Sequence, residues 1–276
     1  MAYDGPILDN HLHLDRERGK GIAAVEEFVA AGGTHLVVIN KPSWSYGVNV
    51  TDPADFEVGY GETMSIVDDA TEVLPGMAWA ALGVHPALIS RLVDDRGFTP
   101  QEAASLMSGG IDRAAQHVVE GTALALKSGR PHYDVSEELW DASNDVLRHA
   151  LERAAAIDCA VQLHTEQTTD LREITEWAAA VGLPAQRVVK HYAGDRLEGP
   201  VPSVIARPDP IEAMVNRGVP FLMETDYLDD PDRPGAVLGP KTVPRRVEWL
   251  LSEGHQTAVE RAHVETPELV YDLRLE

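Results

Sequence analysis

A chain of 276 residues, 44% of them hydrophobic, is long enough to fold as one large α/β domain, residues 1–276, with a substantial core. Its 45 acidic residues against 23 basic ones give a formal net charge of −22, which disfavours a long polyanion as partner and suits a salt-rich setting that screens self-repulsion. The lone Cys159 excludes an internal disulfide, and the absence of a leader-like start or an apolar run of spanning length points to a reducing cytoplasm with no membrane segment.

Short β-rich apolar runs alternate with stretches of helical period, the pattern of a parallel sheet with crossover helices. The predicted strands are Pro6–His13, His35–Asn40, Met77–His85, Thr122–Lys127, Cys159–His164, Arg187–His191, Val201–Ala206 and Val219–Asp226. Eight such units predict a closed (β/α)₈ TIM barrel, with irregularity expected at the Pro-rich seventh strand. Between the strands, Gly21–Ala31 carries Ile22, Val25, Phe28 and Val29 on one stripe, and Glu62–Leu74 repeats the pattern with Met64, Val67 and Leu74. Pro100–Val119 starts with proline after Thr99 as cap, and Ser136–Ile157 starts at Ser136. Helices follow at Thr168–Val181, Pro210–Arg217, Val243–Ser252 and Thr257–Arg274. Acidic residues such as Asp68, Asp69, Glu137, Glu138, Asp229, Asp230 and Asp232 are dispersed, as on a solvated surface.

The first strand ends in Asp9-Asn10-His11-Leu12-His13. Side chains alternate along a strand, so Asp9, His11 and His13 are expected on one face and Leu8, Leu12 and Leu14 on the other. Two imidazoles aimed the same way can hold one metal ion, although such a pair alone is as well explained by chance. The remaining strands decide the matter. In an α/β barrel the chemistry sits where strands run into the βα loops, and polar residues end almost every predicted strand: His85, Lys127, His164, His191 and Asp226.

These motifs, with Leu82-Gly83-Val84-His85-Pro86, Val161-Gln162-Leu163-His164, Val189-Lys190-His191 and Met223-Glu224-Thr225-Asp226, resemble in order and spacing those of TatD-type metal-dependent hydrolases of the amidohydrolase superfamily. The resemblance implies a binuclear centre with His11, His13 and Asp226 around one divalent ion and His164 and His191 around the other. It further implies a bridging hydroxide as nucleophile and Asp226 as the proton acceptor. One position departs: TatD proteins place a glutamate at the end of the fourth strand, where this chain has Lys127. The related phosphotriesterase-like branch uses a lysine there, carboxylated to a bridging carbamate. An ammonium among four imidazoles and two cations would be repelled, so Lys127 must be neutral, modified or turned away. If it turns away, Glu120 or Glu166 is the alternative bridge.

Zinc is the first candidate metal, with manganese, cobalt, nickel or magnesium as alternatives. Asp9 and Glu224 are expected behind the ligands, orienting them. Lys41, His85, Arg130, His132, Tyr192 and Lys241 fall in strand-end loops, where cationic donors suit an anionic or phosphorylated substrate. Lys190 faces away from His191 on a regular strand and is not assigned to the metals. Hydrolysis of an ester or phosphoester bond in a small substrate is the leading expectation. The alternatives are a TatD-related deoxyribonuclease, a lactonase or phosphotriesterase-like activity, and a non-catalytic metal-binding scaffold. Nucleic acid is opposed by charge and by the lack of a basic stripe with interleaved aromatics.

Overall fold

The computed structural model describes residues 3–233 and 237–275. All eight expected strands are present: β1 (Leu8–His13), β2 (His35–Ile39), β3 (Ala78–Gly83), β4 (Ala125–Gly129), β5 (Ala160–His164), β6 (Val188–Lys190), β7 (Val201–Ile205) and an eighth in two pieces, β8 (Leu222–Glu224) and β9 (Tyr227–Leu228). They form one sheet in the order β8-β7-β6-β5-β4-β3-β2-β1-β9, and every pairing is parallel. Only Thr225 and Asp226 separate the two terminal strands of that order, so the sheet closes on itself as a (β/α)₈ barrel. Across the break, Asp226 N donates to the His11 carbonyl at 2.9 Å.

Helices cover the outside, and their caps follow local chemistry. Thr99 accepts from Glu102 N while the Glu102 carboxylate takes the Thr99 N–H, a reciprocal box that starts Pro100–Val119. Ser136 Oγ accepts from Leu139 N at 3.3 Å and starts Glu137–Ile157. The second helix begins at Glu57, five residues earlier than its apolar stripe suggests, because a 3₁₀ turn capped by Asp52 over Pro53–Phe56 feeds directly into it. The chain end departs further from expectation. Gln256–Glu260 and Thr266–Tyr271 are α-helical, but Arg261–Glu265 between them is a wide π turn. Pro267 has no N–H to continue the α ladder, which accounts for the widened turn ahead of it.

Two apolar layers result. The larger lies between sheet and helices; the smaller fills the barrel floor with Leu8, Val37, Ile39, Ala81, Ala125, Ala160, Val189 and Leu222. Ala81, Ala125 and Ala160 stand in register on adjacent strands, and their small side chains leave room for Val270 and Tyr271 to plug the floor from the C-terminal helix. The expected alternation along β1 does not hold. Its register with β2 shifts between Asp9 and Leu12, so Leu8 packs inside the barrel and Leu12 outside it. A bulge adds one residue to a strand and re-aims the side chains beyond it. Both Asn10 and His11 therefore reach interior partners. No helix among the described residues is long and apolar enough to cross a membrane.

Candidate metal centre

His11 and His13 leave β1 side by side, with ring centroids 5.2 Å apart and planes nearly perpendicular. His11 Nδ1 lies 2.7 Å from Gln162 Oε1, and His13 Nδ1 lies 2.9 Å from the Ile39 carbonyl. Both contacts are to oxygen acceptors, so each Nδ1 carries the hydrogen and each Nε2 presents a lone pair. Those Nε2 atoms lie 3.9 and 3.8 Å from Asp226 Oδ1, and His191 Nε2 lies 3.9 Å from the same oxygen. The distances are too long for hydrogen bonds. They are near the roughly 3.4 Å that separates two atoms each about 2.1 Å from one tetrahedrally held ion.

The buried His11 Nε2 has no hydrogen-bond partner among the described residues. Orphaning such a group costs about 1–3 kcal/mol unless something else satisfies it. His11 also stacks on His191 with centroids 3.6 Å apart and planes 15° apart. Among the described residues, two groups bring all their potential ligand atoms within 4.8 Å of one another: His11, His13 and Asp226, and His11, His191 and Glu224. Imidazole nitrogen with carboxylate oxygen suits zinc and neighbouring divalent ions, so the residues present fit a metal.

Asp226 owes its position to the break in the eighth strand. Its φ is +49°, in the left-handed region. Asp9 holds the break open: its carboxylate accepts from Thr225 N at 3.0 Å and from Thr225 Oγ1 at 2.6 Å. Glu224 stands behind His191, whose Nδ1 lies 2.7 Å from Glu224 Oε1, off the line an N–H would take; it is a close contact without good hydrogen-bond geometry. Tyr192 N donates to the same oxygen at 2.8 Å, and Ser203 donates to Oε2. Tyr192 itself has φ +52°.

Burial sets the charge states. It pushes His11, His13, His85 and His164 well below 6.5 and His191 down to about 3, so the rings are neutral and able to ligate near pH 7. It pushes Asp226 up to about 6, Asp9 to about 7 and Glu224 to about 8, against the hydrogen bonds that lower the last two. Lys127 is driven down to about 8 by burial, with the Asp226 carboxylate opposing.

Lys127 is the middle residue of β4 rather than its end, in register with Gly83 and Gln162 and two residues deeper than the pairing of Gly129 with His164. Among the described residues no hydrogen bond or ion pair engages its ammonium. His164 sits higher, on the rim. Its centroid is 5.4 Å from His191, 4.8 Å from His85 and 5.1 Å from His132, and its Nε2 is 3.2 Å from His132 Nδ1. It lies outside both compact ligand groups. His85 Nδ1 accepts from Ala87 N at 3.1 Å, so its Nε2 carries the hydrogen and offers a donor instead of a ligand.

The expected cations are held elsewhere. Lys41 donates to Asp15 Oδ2 at 2.7 Å and to the Asp229 carbonyl at 2.9 Å. Arg130 is clasped by Glu166 and Glu173 at 2.5 and 2.7 Å and lies over the Trp140 ring. Lys241 faces Glu27 at 3.5 Å on the first helix. The two alternative bridges are likewise distant in role: Glu166 pairs with Arg130, and Glu120 caps the C-terminus of Pro100–Val119, at the end of the barrel opposite the strand C-termini. Lys190 is buried and donates to the His191 carbonyl at 2.5 Å, away from the imidazoles. The residues that sequence reasoning passed over are Gln162, Asn10, Ser203 and Tyr271, the polar groups beneath the ligands. For Gln162 a signal existed: it lies two positions before His164 and so shares its inward face.

Comparison with known proteins shows what the chain and its fold resemble. The model of the TatD-related DNase family matches residues 8–200. An uncharacterized protein from Methanocaldococcus jannaschii is 37% identical over 283 residues, covering 98% of this chain and 97% of its own. Among solved structures, a lactonase from Listeria monocytogenes superposes with a TM-score of 0.62 at 15% identity, over 96% of this chain and 94% of its own. A phosphotriesterase homology protein from Escherichia coli, solved with phosphate in its active site, gives 0.62 at 15% identity over 98% and 100%. A TatD-like protein from Archaeoglobus fulgidus gives 0.58 at 15% identity over 95% and 98%. These three share the barrel fold. With the family model covering most of the chain and the ligand-type residues gathered at the barrel mouth, the chain belongs to the TatD-related DNase family of hydrolases.

Proposed function

We propose that this protein is a metal-dependent hydrolase that cleaves an ester or phosphoester bond in a small substrate. The observation that carries the proposal is the convergence of three imidazole Nε2 atoms on one Asp226 oxygen at 3.8–3.9 Å in a buried site. His11, His13 and Asp226 would hold one divalent ion, zinc first among the candidates. His191 and His164 would hold a second, with a carboxylated Lys127 between them. When bound, such ions supply Lewis acidity: they bring the pKa of water toward roughly 7 and stabilise negative charge that develops on the substrate.

The chain's own groups do the rest. Asp226 Oδ1 faces the imidazoles, leaving Oδ2 to take a proton from the attacking water and return it to the leaving group. The Nε2–H of His85 is a fixed donor on the rim, placed to hydrogen-bond a substrate oxygen. Lys127 cannot remain an ammonium beside divalent ions; its neutral amine would add carbon dioxide and release a proton, and the resulting carbamate would be a bidentate anion in place of a repelled cation.

The small-substrate reading is supported by the net charge of −22 and by the resemblance in fold to proteins described as a lactonase and a phosphotriesterase homologue. The family match favours a second reading, hydrolysis of DNA, which the acidic surface opposes except where salt screens it. Lactones, aryl phosphoesters and oligonucleotides should be assayed in high salt with and without chelator. Chelator-sensitive turnover of a small ester or phosphoester is the expected result. Turnover of oligonucleotides alone would replace it with the nuclease reading, and no chelator-sensitive turnover of any of them would leave a metal-binding scaffold.

A further inference from the structure

The barrel interior holds polar side chains that take no part in the chemistry above. Gln162 reaches across from β5: its Nε2 donates to the Asn10 backbone carbonyl at 3.0 Å and to the Tyr271 hydroxyl at 2.8 Å, and its Oε1 lies 2.7 Å from His11 Nδ1. Tyr271 ends the C-terminal helix Thr266–Tyr271, is buried, and donates its own hydrogen to Asn10 Oδ1 at 2.7 Å. Asn10 Nδ2 in turn donates to Ser203 Oγ at 3.0 Å, and Ser203 donates to Glu224 Oε2 beside His191.

The direction of this chain follows from chemistry and not from how an amide is drawn. A backbone carbonyl can only accept, so the end of Gln162 facing Asn10 must be its NH₂ group. Gln162 Oε1 therefore faces His11 and can only accept, which places the His11 hydrogen on Nδ1 and leaves Nε2 its lone pair toward Asp226. The Tyr271 hydroxyl completes the arrangement by taking the second amide hydrogen of Gln162 and supplying the hydrogen that Asn10 Oδ1 needs. Without it the second Gln162 amide hydrogen and Asn10 Oδ1 both lose their partner, the Gln162 amide is held only through the Asn10 carbonyl, and its side chain is free to swing so that Oε1 no longer faces His11 Nδ1.

We propose that Tyr271, on the last helix of the chain and 260 positions from the histidine it serves, is a positioning residue for the metal centre. Acting through Gln162, it holds His11 in the Nδ1–H tautomer, with Nε2 ready to ligate. Docking of the C-terminal helix is thereby coupled to the readiness of the site. The consequence for metal affinity rests on the metal reading above; the tautomer does not.

The test is Tyr271→Phe in full-length protein labelled with ¹⁵N-histidine, His11 being assigned from His11→Gln. In wild-type apoprotein the nitrogen shifts of His11 should report a single Nδ1–H tautomer, and in Tyr271→Phe a mixture. Affinity for Zn²⁺ or Co²⁺, read by competition with a chromophoric chelator, should fall roughly 10-fold in Tyr271→Phe and roughly 10- to 100-fold in Gln162→Leu. Gln162→Glu keeps an acceptor for His11 and should keep the tautomer. Val270→Ala loosens the same helix without touching these hydrogen bonds, so it should lower Tm and leave tautomer and affinity as in wild type.

Wild-type tautomer and affinity in Tyr271→Phe would overturn the proposal, as would equal shifts in Tyr271→Phe and Val270→Ala. Should Tyr271→Phe fail to fold, Gln162→Glu and Gln162→Leu test the link through which Tyr271 must act: a shifted tautomer in Gln162→Leu alone supports it, and identical tautomers in that pair would overturn it. If the tautomers behave as expected but wild type binds neither ion, the positioning role stands and the metal reading falls.

Discussion

Two lysines are buried in this barrel to nearly the same degree, Lys41 at 4% exposure and Lys127 at 2%, and their surroundings differ completely. Lys41 meets the Asp15 carboxylate and the Asp229 carbonyl. The Asp229 carboxylate is itself saturated by Asp15 N, Lys20 N, Gly21 N and the Tyr227 hydroxyl, at 2.7–3.0 Å. Burial alone would raise the Asp15 carboxyl, but hydrogen bonds from Lys41 and two backbone N–H groups hold it below the usual range. Lys127 has imidazoles for neighbours and no acceptor for its ammonium among the described residues. The first lysine is fastening: it ties the loop after β1 to the loop after β9. The second fastens nothing among the described residues; on the proposed reading, a carbamate on its nitrogen and divalent ions beside it would satisfy it. Buried charge with its partners in place signals structure, whereas buried polar groups that lack them signal chemistry.

The contrast is broken most directly at its two lysines. Lys127→Ala should lower turnover on the order of 10²- to 10³-fold and reduce bound metal, with partial recovery on adding small carboxylates, while leaving apoprotein stability equal or higher. Activity, metal analysis and denaturant midpoints check this; unchanged turnover and metal content would remove Lys127 from the centre. Lys41→Met should do the reverse, costing about 3–5 kcal/mol of stability because Asp15 is left buried and unpaired. Urea unfolding with an unchanged m-value would read that loss, and a variant as stable as wild type would show that the pair does not fasten the loops.

A third buried group extends the comparison to the barrel floor, where burial acts with no opposite charge. His263 Nδ1 accepts from Leu8 N at 3.0 Å, its Nε2 has no partner among the described residues, and burial takes its pKa down to about 3. The unfolded chain binds the proton first as pH falls below about 6.5, so this contribution is intact above that pH and is lost progressively toward about pH 3. Stability measured between pH 6.5 and 4.5 should fall by on the order of a few kcal/mol, and less steeply in His263→Gln. An equal slope in the two proteins would show that His263 does not carry the effect. The smallest change expected is at a site belonging to neither cluster: Thr99→Ala opens the capping box and should cost about 1 kcal/mol in the same unfolding assay without altering metal binding.

Much of this was legible from the chain alone because periodicity is local. Eight strand positions, the Thr99 and Ser136 caps and the run of ligand-type residues at strand ends all follow from neighbours within a few positions. What was not legible depends on distant partners or on a single irregular residue. The bulge in β1 sends Asn10 and His11 to the same interior, which strict alternation forbids. Arg130, Lys41 and Lys241 read in sequence as cationic donors in strand-end loops, suited to a substrate or to salt bridges, and the carboxylates that hold them arrive from other segments. His164 reads as equal to the other imidazoles, yet the structure groups it with His132 and His85 on the rim.

The sequence by itself determined the barrel and the identity of its ligand-type residues, because alternating apolar periods and their breaks are written in adjacent positions. Only the tertiary structure decided which of those residues face one another, which lysine is paired, and that a tyrosine on the last helix completes the hydrogen bonds behind His11. Side chains more than a hundred positions apart meet only once the sheet has closed, and the strength of each contact depends on a burial that no local stretch possesses.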